Sequence, residues 1–151
     1  MLQSSGNFRA ALVAIDAVFA LLSPGAPPEL RSRALALKGV VCAKLGDTSS
    51  ALESVRASLS EALVAGHPST AAAAYQAVAI VYENAGELGK ATEAYDIAID
   101  YCEQTGISST AAVCSACLCH VLRQRGEWRR SLALSRSLLD DPSVDERSPR
   151  Q

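Results

Sequence analysis

Aromatic side chains are scarce in this chain: one Trp, four Tyr and two Phe in 151 residues. A core with so few bulky groups is built from thin, closely spaced helices. Histidine appears only at His67 and His120, and there is no glycine-rich phosphate loop, nucleophile elbow or paired metal-binding histidines. The roles that a catalytic site requires cannot be filled, so neither an enzyme nor a cofactor is expected. An excess of one charge is also missing, since 14 Lys plus Arg stand against 16 Asp plus Glu for a net charge of −2. Nothing in that balance draws the chain as a whole to nucleic acid or anionic lipid. Long apolar runs are absent as well: Asp16 and Asp100 interrupt the best of them. No segment can span a membrane.

What the chain has is alanine and leucine, 27 and 18 of them, against 16 Val plus Ile. That balance favours helix over strand. Glycines fall at 6, 46, 66, 86, 106 and 126, with Gly25 one residue off the same spacing of 20. Glycine just past a helix end supplies the left-handed stop, so the ladder predicts helices of roughly 15–18 residues joined by short turns. The prolines, at 24, 27, 28, 68, 142 and 149, lie beside these stops or near the C-terminus and break no helix interior.

A shift of 40 residues superposes Gly6-Asn7-Phe8, Gly46-Asp47-Thr48, Gly86-Glu87-Leu88 and Gly126-Glu127-Trp128. Small residues follow at one offset (Ala11, Ala51, Ala91, Ser131), and Ile15, Val55, Tyr95 and Ser135 come four later. Such internal periodicity marks a repeat array of helix pairs. The acid or amide after each glycine is expected to cap the second helix of its pair. The domain reading is one repeat domain over 1–139. It contains a lone helix at 7–22 and pairs at 29–65, 69–105 and 109–139, and a disordered tail follows at 140–151. The apolar stretch Ala10–Leu22 superficially suits an export leader, but Asp16 lies inside it and it aligns with the later second helices. It lacks a first-helix partner, which suggests either a fragment of a longer array or a neighbour on that face.

Tyr75, Val78, Ala79, Tyr82, Gly86-Glu87-Leu88, Ala91, Tyr95 and Ala98 in one unit carry the resemblance to a known family. Leu35, Gly39, Cys42, Gly46-Asp47 and Ala51 carry it in the unit before, and Leu118, Cys119, Leu122, Gly126-Glu127-Trp128 and Ser131 in the unit after. This pattern resembles the tetratricopeptide repeat, with a period of 40 in place of the usual 34. The resemblance implies an all-α, right-handed superhelical solenoid of antiparallel helix pairs. Its function would be non-enzymatic, the binding of a protein or peptide on a concave groove lined by the first helices. On that groove it places Arg33, Ala36, Val40 and Lys44, then Gln76, Ile80, Glu83 and Asn84, then Val113, Ala116, His120, Arg123 and Gln124. Ala36 and Val40 stand where some members carry the Lys and Asn of a carboxylate clamp, so that activity is not inherited.

The long period and Ala-rich style are similar to the helical-repeat segment of LuxR/MalT-like bacterial transcriptional regulators. The expected role is therefore the ligand- or partner-sensing part of such a regulator, with neighbouring domains of a longer chain as partners. The alternative is a stand-alone adaptor that holds a peptide in its groove.

A remote alternative is a thiol- or metal-responsive sensor built on Cys114, Cys117 and His120. At about 100° per residue Cys119 lies well round the helix from Cys117, so the cluster does not converge on one ion. Cys42 and Cys119 fall at core positions of the repeat, and five cysteines, three of them on one helix, fit reduced thiols in the cytoplasm. Charge is uneven along the array, with six acids over residues 83–103 and five arginines over 123–136. The arginine patch is short and has no interleaved aromatics, so direct nucleic-acid binding is not expected. Pairing of opposite charge between repeats, or self-association, is the plainer use.

Overall fold

Five glycines, Gly46, Gly66, Gly86, Gly106 and Gly126, adopt positive φ between 69° and 85°. Each turn they make is closed by the residue after the glycine, whose N–H donates five residues back, as from Asp47 to the Cys42 carbonyl at 3.0 Å and from Glu127 to Leu122 at 2.9 Å. This pairing of a left-handed glycine with a long-range backbone bond satisfies the carbonyls that a helix end leaves open. In this computed structural model, which describes residues 2–140 and side chains from residue 6 onward, the result is an all-α chain. Its helices are α1 (Leu2–Leu21), α2 (Pro28–Lys44), α3 (Thr48–Ala65), α4 (Pro68–Asn84), α5 (Leu88–Thr105), α6 (Ser108–Gln124) and α7 (Trp128–Leu139).

The helix pairs follow the glycine register, but two glycines depart from it. Gly6 lies inside α1, which begins at Leu2 and not near residue 7, and Gly25 sits in a turn without positive φ. The tail expected over 140–151 lies, from residue 141 on, outside the described residues. Capping also differs from expectation. Asp47 accepts from the Ser50 backbone N–H at 3.1 Å, whereas Glu87 and Glu127 make no side-chain cap. A glutamate carries one methylene too many to fold back onto its own helix start. Glu87 pairs instead with Lys90, and Glu127 with Arg125 at 3.0 Å.

Successive helices pack side by side, and the first helices of the pairs also touch one another, α2 against α4 and α4 against α6. The second helices α3, α5 and α7 make no comparable contact among themselves in the described residues. The pairs therefore converge on the first-helix side and fan apart on the other, which is how a repeat array acquires an inner and an outer face.

Two apolar clusters meet at α4. One joins Cys42, Ala43, Ala51, Val55, Ala77 and Val81. The other joins Ala79, Ala91, Tyr95, Ala98, Cys114, Leu118, Val121 and Leu122, and Val78 packs against both. Between α2 and α3 the helices approach so closely that a Cβ on Gly39 would lie 2.3 Å from Val55 Cγ1 and 2.9 Å from the Ala51 carbonyl. Beside it, the hydroxyl of buried Ser32 donates to the Ser58 carbonyl at 2.7 Å, and that of Ser58 to the Ser32 carbonyl at 2.6 Å. A reciprocal clasp of this kind leaves neither buried hydroxyl without a partner.

Candidate functional site

The residues expected to line the groove sit on the converging helices, and none is fully buried. Arg33 and Lys44 of α2 are exposed, as are Asn84 at the end of α4 and Val113, Ala116, His120, Arg123 and Gln124 of α6. Gln76, Ile80 and Glu83 of α4 are half-buried. Arg33 lines a shallow groove of about 240 Å³ between α2 and α4, together with Glu29, Ser69, Thr70 and Ala73.

Several of these side chains already have work within the fold. Ile80 packs against the α4–α5–α6 cluster, while Ala36 and Val40 pack against the α2–α3–α4 cluster. Asn84 Nδ2 donates to the Ile80 carbonyl at 2.8 Å, one turn back on its own helix. Glu83 is drawn inward, where its Oε2 accepts from the Tyr95 hydroxyl at 2.7 Å. Burial first, then the bond to Glu83, holds the Tyr95 phenol far above its ordinary pKa, so it remains a neutral donor. His120 and Gln124 lie 2.7 Å apart between their Nε2 atoms and remain exposed. With Glu83 turned inward, the outward charge among the residues expected on the groove is carried by Arg33, Lys44 and Arg123, and Glu29 lies beside Arg33.

The cysteines serve different neighbours. Cys114 is fully buried, and burial pushes its thiol up to about 12. Cys117 is half-buried beside Tyr95; burial raises its pKa, against a smaller lowering by the Tyr95 hydrogen bond. Cys119 turns toward α7, where its Sγ lies 3.7 Å from the Ser131 carbonyl and 3.4 Å from Ser135 Oγ. Cys42 is a core residue at 4% exposure. His120 is engaged with Gln124 and not with Cys117. The thiols of α6 thus point to three surroundings, which is poor geometry for a shared ion.

The arginine patch is likewise partly committed. Arg130 Nη2 lies 2.7 Å from both carboxylate oxygens of Asp96, tying α7 to α5. Arg125 bonds Glu127 through Nε at 3.0 Å and the Thr92 hydroxyl through Nη1 at 2.8 Å. Opposite charges on successive units therefore pair within the chain.

One feature escaped sequence reasoning. A cavity of about 380 Å³ opens where the ends of α5, α6 and α7 meet, lined by Ile99, Cys102, Ala111, Ser115, Leu134 and Leu138 among others. The signal for it lay in the register. Ser115 stands at the position that Tyr75 fills one unit earlier, where its ring packs 4.8 Å from that of Tyr101.

The fold is a helical-repeat scaffold, a class that serves protein interaction. The family model described as SNAP, soluble NSF attachment protein, matches residues 36–136, from the middle of α2 to near the end of α7. The chain belongs to that family. This match supports a helical-repeat family, not the LuxR/MalT-like variant suggested by the repeat length. No curated protein matches the chain, and no solved structure does. Among the described residues no helix is long and apolar enough to cross a membrane.

Proposed function

We propose that this chain is an adaptor that holds a segment of a partner protein against the inner rank of helices α2, α4 and α6. The observation that supports the reading is the contact of α2 with α4 and of α4 with α6, the helices that carry Arg33, Lys44, Gln76, His120, Arg123 and Gln124. A rigid face of this composition suits an extended or helical peptide: the basic groups and amides give direction, and Val113 and Ala116 give apolar contact. The family's description names attachment to NSF, so a protein of that kind is the first partner to test. A reducing, cytoplasmic setting fits the five free thiols. A sensing segment within a transcriptional regulator has weaker support, since it rests on repeat length and an Ala-rich style.

The test is a comparison of partner binding by wild type with Arg123→Glu and with Gln76→Ala. Each variant keeps the fold, because both side chains lie outside the two clusters. Loss of binding of about tenfold is expected for Arg123→Glu, from reversal of an interfacial charge, and less for Gln76→Ala. Full retention by both variants would move the binding face elsewhere.

A further inference from the structure

Helix α1 stands in the register of the second helices, with Ile15 aligned to Val55 and Tyr95. Its inner side is satisfied. Ile15 is buried, Leu12 packs against the α2–α3–α4 cluster, and Lys38 of α2 reaches over both Asp16, at 2.7 Å, and the Phe19 ring. The opposite side is apolar and open. Val13 is 70% exposed, and Ala10, Ala17 and Ala20 are exposed beside it.

The equivalent positions of the other units show how unusual this is. Val13 corresponds to Glu53 and Glu93, and Ala20 to Ser60 and Asp100, all exposed. At these two positions α3 and α5 carry polar groups where α1 carries apolar ones, whereas at the position of Ala17 α5 also exposes an apolar side chain, Ile97. A helix that is apolar on two opposite sides is covered on both. A first helix lying before α1 would not cover this face. Such a helix meets the positions of Ser54 and Ser58, buried in α3, which correspond to Ala14 and Val18. It would leave Val13, Ala17 and Ala20 outside.

We propose that this outward face of α1 is a self-association surface, on which α1 of a second copy lies antiparallel across a two-fold axis. Ala10, Val13, Ala17 and Ala20 recur at steps of three and four, the spacing of a helix–helix seam. Charge fixes the occupant and its direction. Arg9 and Asp16 lie two turns apart on one edge of the seam, and both are exposed. Antiparallel pairing sets Arg9 of each copy beside Asp16 of the other, twice by symmetry. Parallel pairing would set like against like. Lys38 uses only Oδ1 of Asp16, which leaves Oδ2 to accept from the second copy. This surface lies on the outer side of the array, away from the inner rank, and stands independently of the adaptor reading.

Sedimentation velocity on the 151-residue chain over a dilution series tests it. The expected result is a dimer that dissociates on dilution and weakens with added salt. Val13→Glu gives α1 the charge that α3 and α5 carry in this register, and should raise the dissociation constant about tenfold or more with unchanged helical circular dichroism. Arg9→Asp should also weaken the dimer, because it sets Asp beside Asp16 only in the antiparallel arrangement. A wild type that is monomeric at every concentration, or a dimer indifferent to Val13→Glu, overturns the proposal. A dimer lost with Val13→Glu but untouched by Arg9→Asp overturns the antiparallel pairing. A monomer that binds phosphatidylcholine vesicles through Val13 overturns it in favour of a lipid surface.

Discussion

Gly39 and Gly89 are both helical glycines, yet their substitution by alanine should have opposite signs. In a helix, Gly→Ala gains up to about 1 kcal/mol by removing backbone freedom from the unfolded chain. At Gly89 a Cβ meets nothing within 4 Å, so Gly89→Ala should stabilise the fold. At Gly39 the new carbon would overlap Val55 and the Ala51 carbonyl, and overpacking of this kind costs about 1–3 kcal/mol. Urea unfolding should therefore show a higher midpoint for Gly89→Ala and a lower one for Gly39→Ala. Tyr95 gives a second test at this scale. Its folded pKa is raised above the ordinary 10.0, so its contribution is fully present below pH 10 and is lost as the pH rises further. Wild type should lose thermal stability above pH 10 more steeply than Tyr95→Phe. The same slope in both would remove Tyr95 as the cause. Neither the Gly39 contact nor the inward turn of Glu83 was legible in the sequence. Both depend on how closely two helices approach, and that distance is set by side chains far apart in the chain.

Helix ends were the most legible elements, because a stop needs only local chemistry. Gly46, Gly66, Gly86, Gly106 and Gly126 each pair a left-handed residue with a backbone bond made by their neighbour. Gly6 matches them in spacing but lies within α1, where the chain continues in helix on both sides. Periodicity marks where a stop is available, and the turn forms where a second helix folds back to hold it. Caps separate in the same way. Asp47 should matter more to its helix than Glu127 does, since only Asp47 bonds a free N–H. Asp47→Ala should lower the melting temperature measurably, while Asp47→Asn, which keeps an acceptor, should not. The hydrogen bond from Ser50 holds the Asp47 carboxyl below its ordinary 3.8. Its contribution is therefore present above that value and fades as acid protonates it, a fade that Asp47→Asn should not show. The Arg130–Asp96 pair joins two units but lies nearly half exposed, so its net worth is at most about 1 kcal/mol and falls with salt.

At the scale of the whole molecule, the array has two distinct long faces. The first helices touch their neighbours in the rank, and among the described residues the second helices make no comparable contact. The binding face proposed for the inner rank would therefore have fixed geometry, while Glu53, Ser60, Glu93 and Asp100 meet water on the outer rank. Sequence spacing was enough to assign residues such as Arg33, Gln76 and Arg123 to the inner helices. It did not reveal which of them the fold keeps for itself. Glu83 serves Tyr95, and Ile80 serves the core. The cavity at α5–α7 was hidden for a related reason, since one serine in place of a tyrosine becomes a void only when the repeat is assembled. Site-specific photocrosslinking in the native cell tests the adaptor reading most directly. A photoreactive residue would replace Gln76 or His120 on the inner rank, and Glu53 or Glu93 on the outer. The expected result is one discrete partner band from the inner positions and none from the outer. Crosslinking to that partner from Glu53 or Glu93 alone would contradict it.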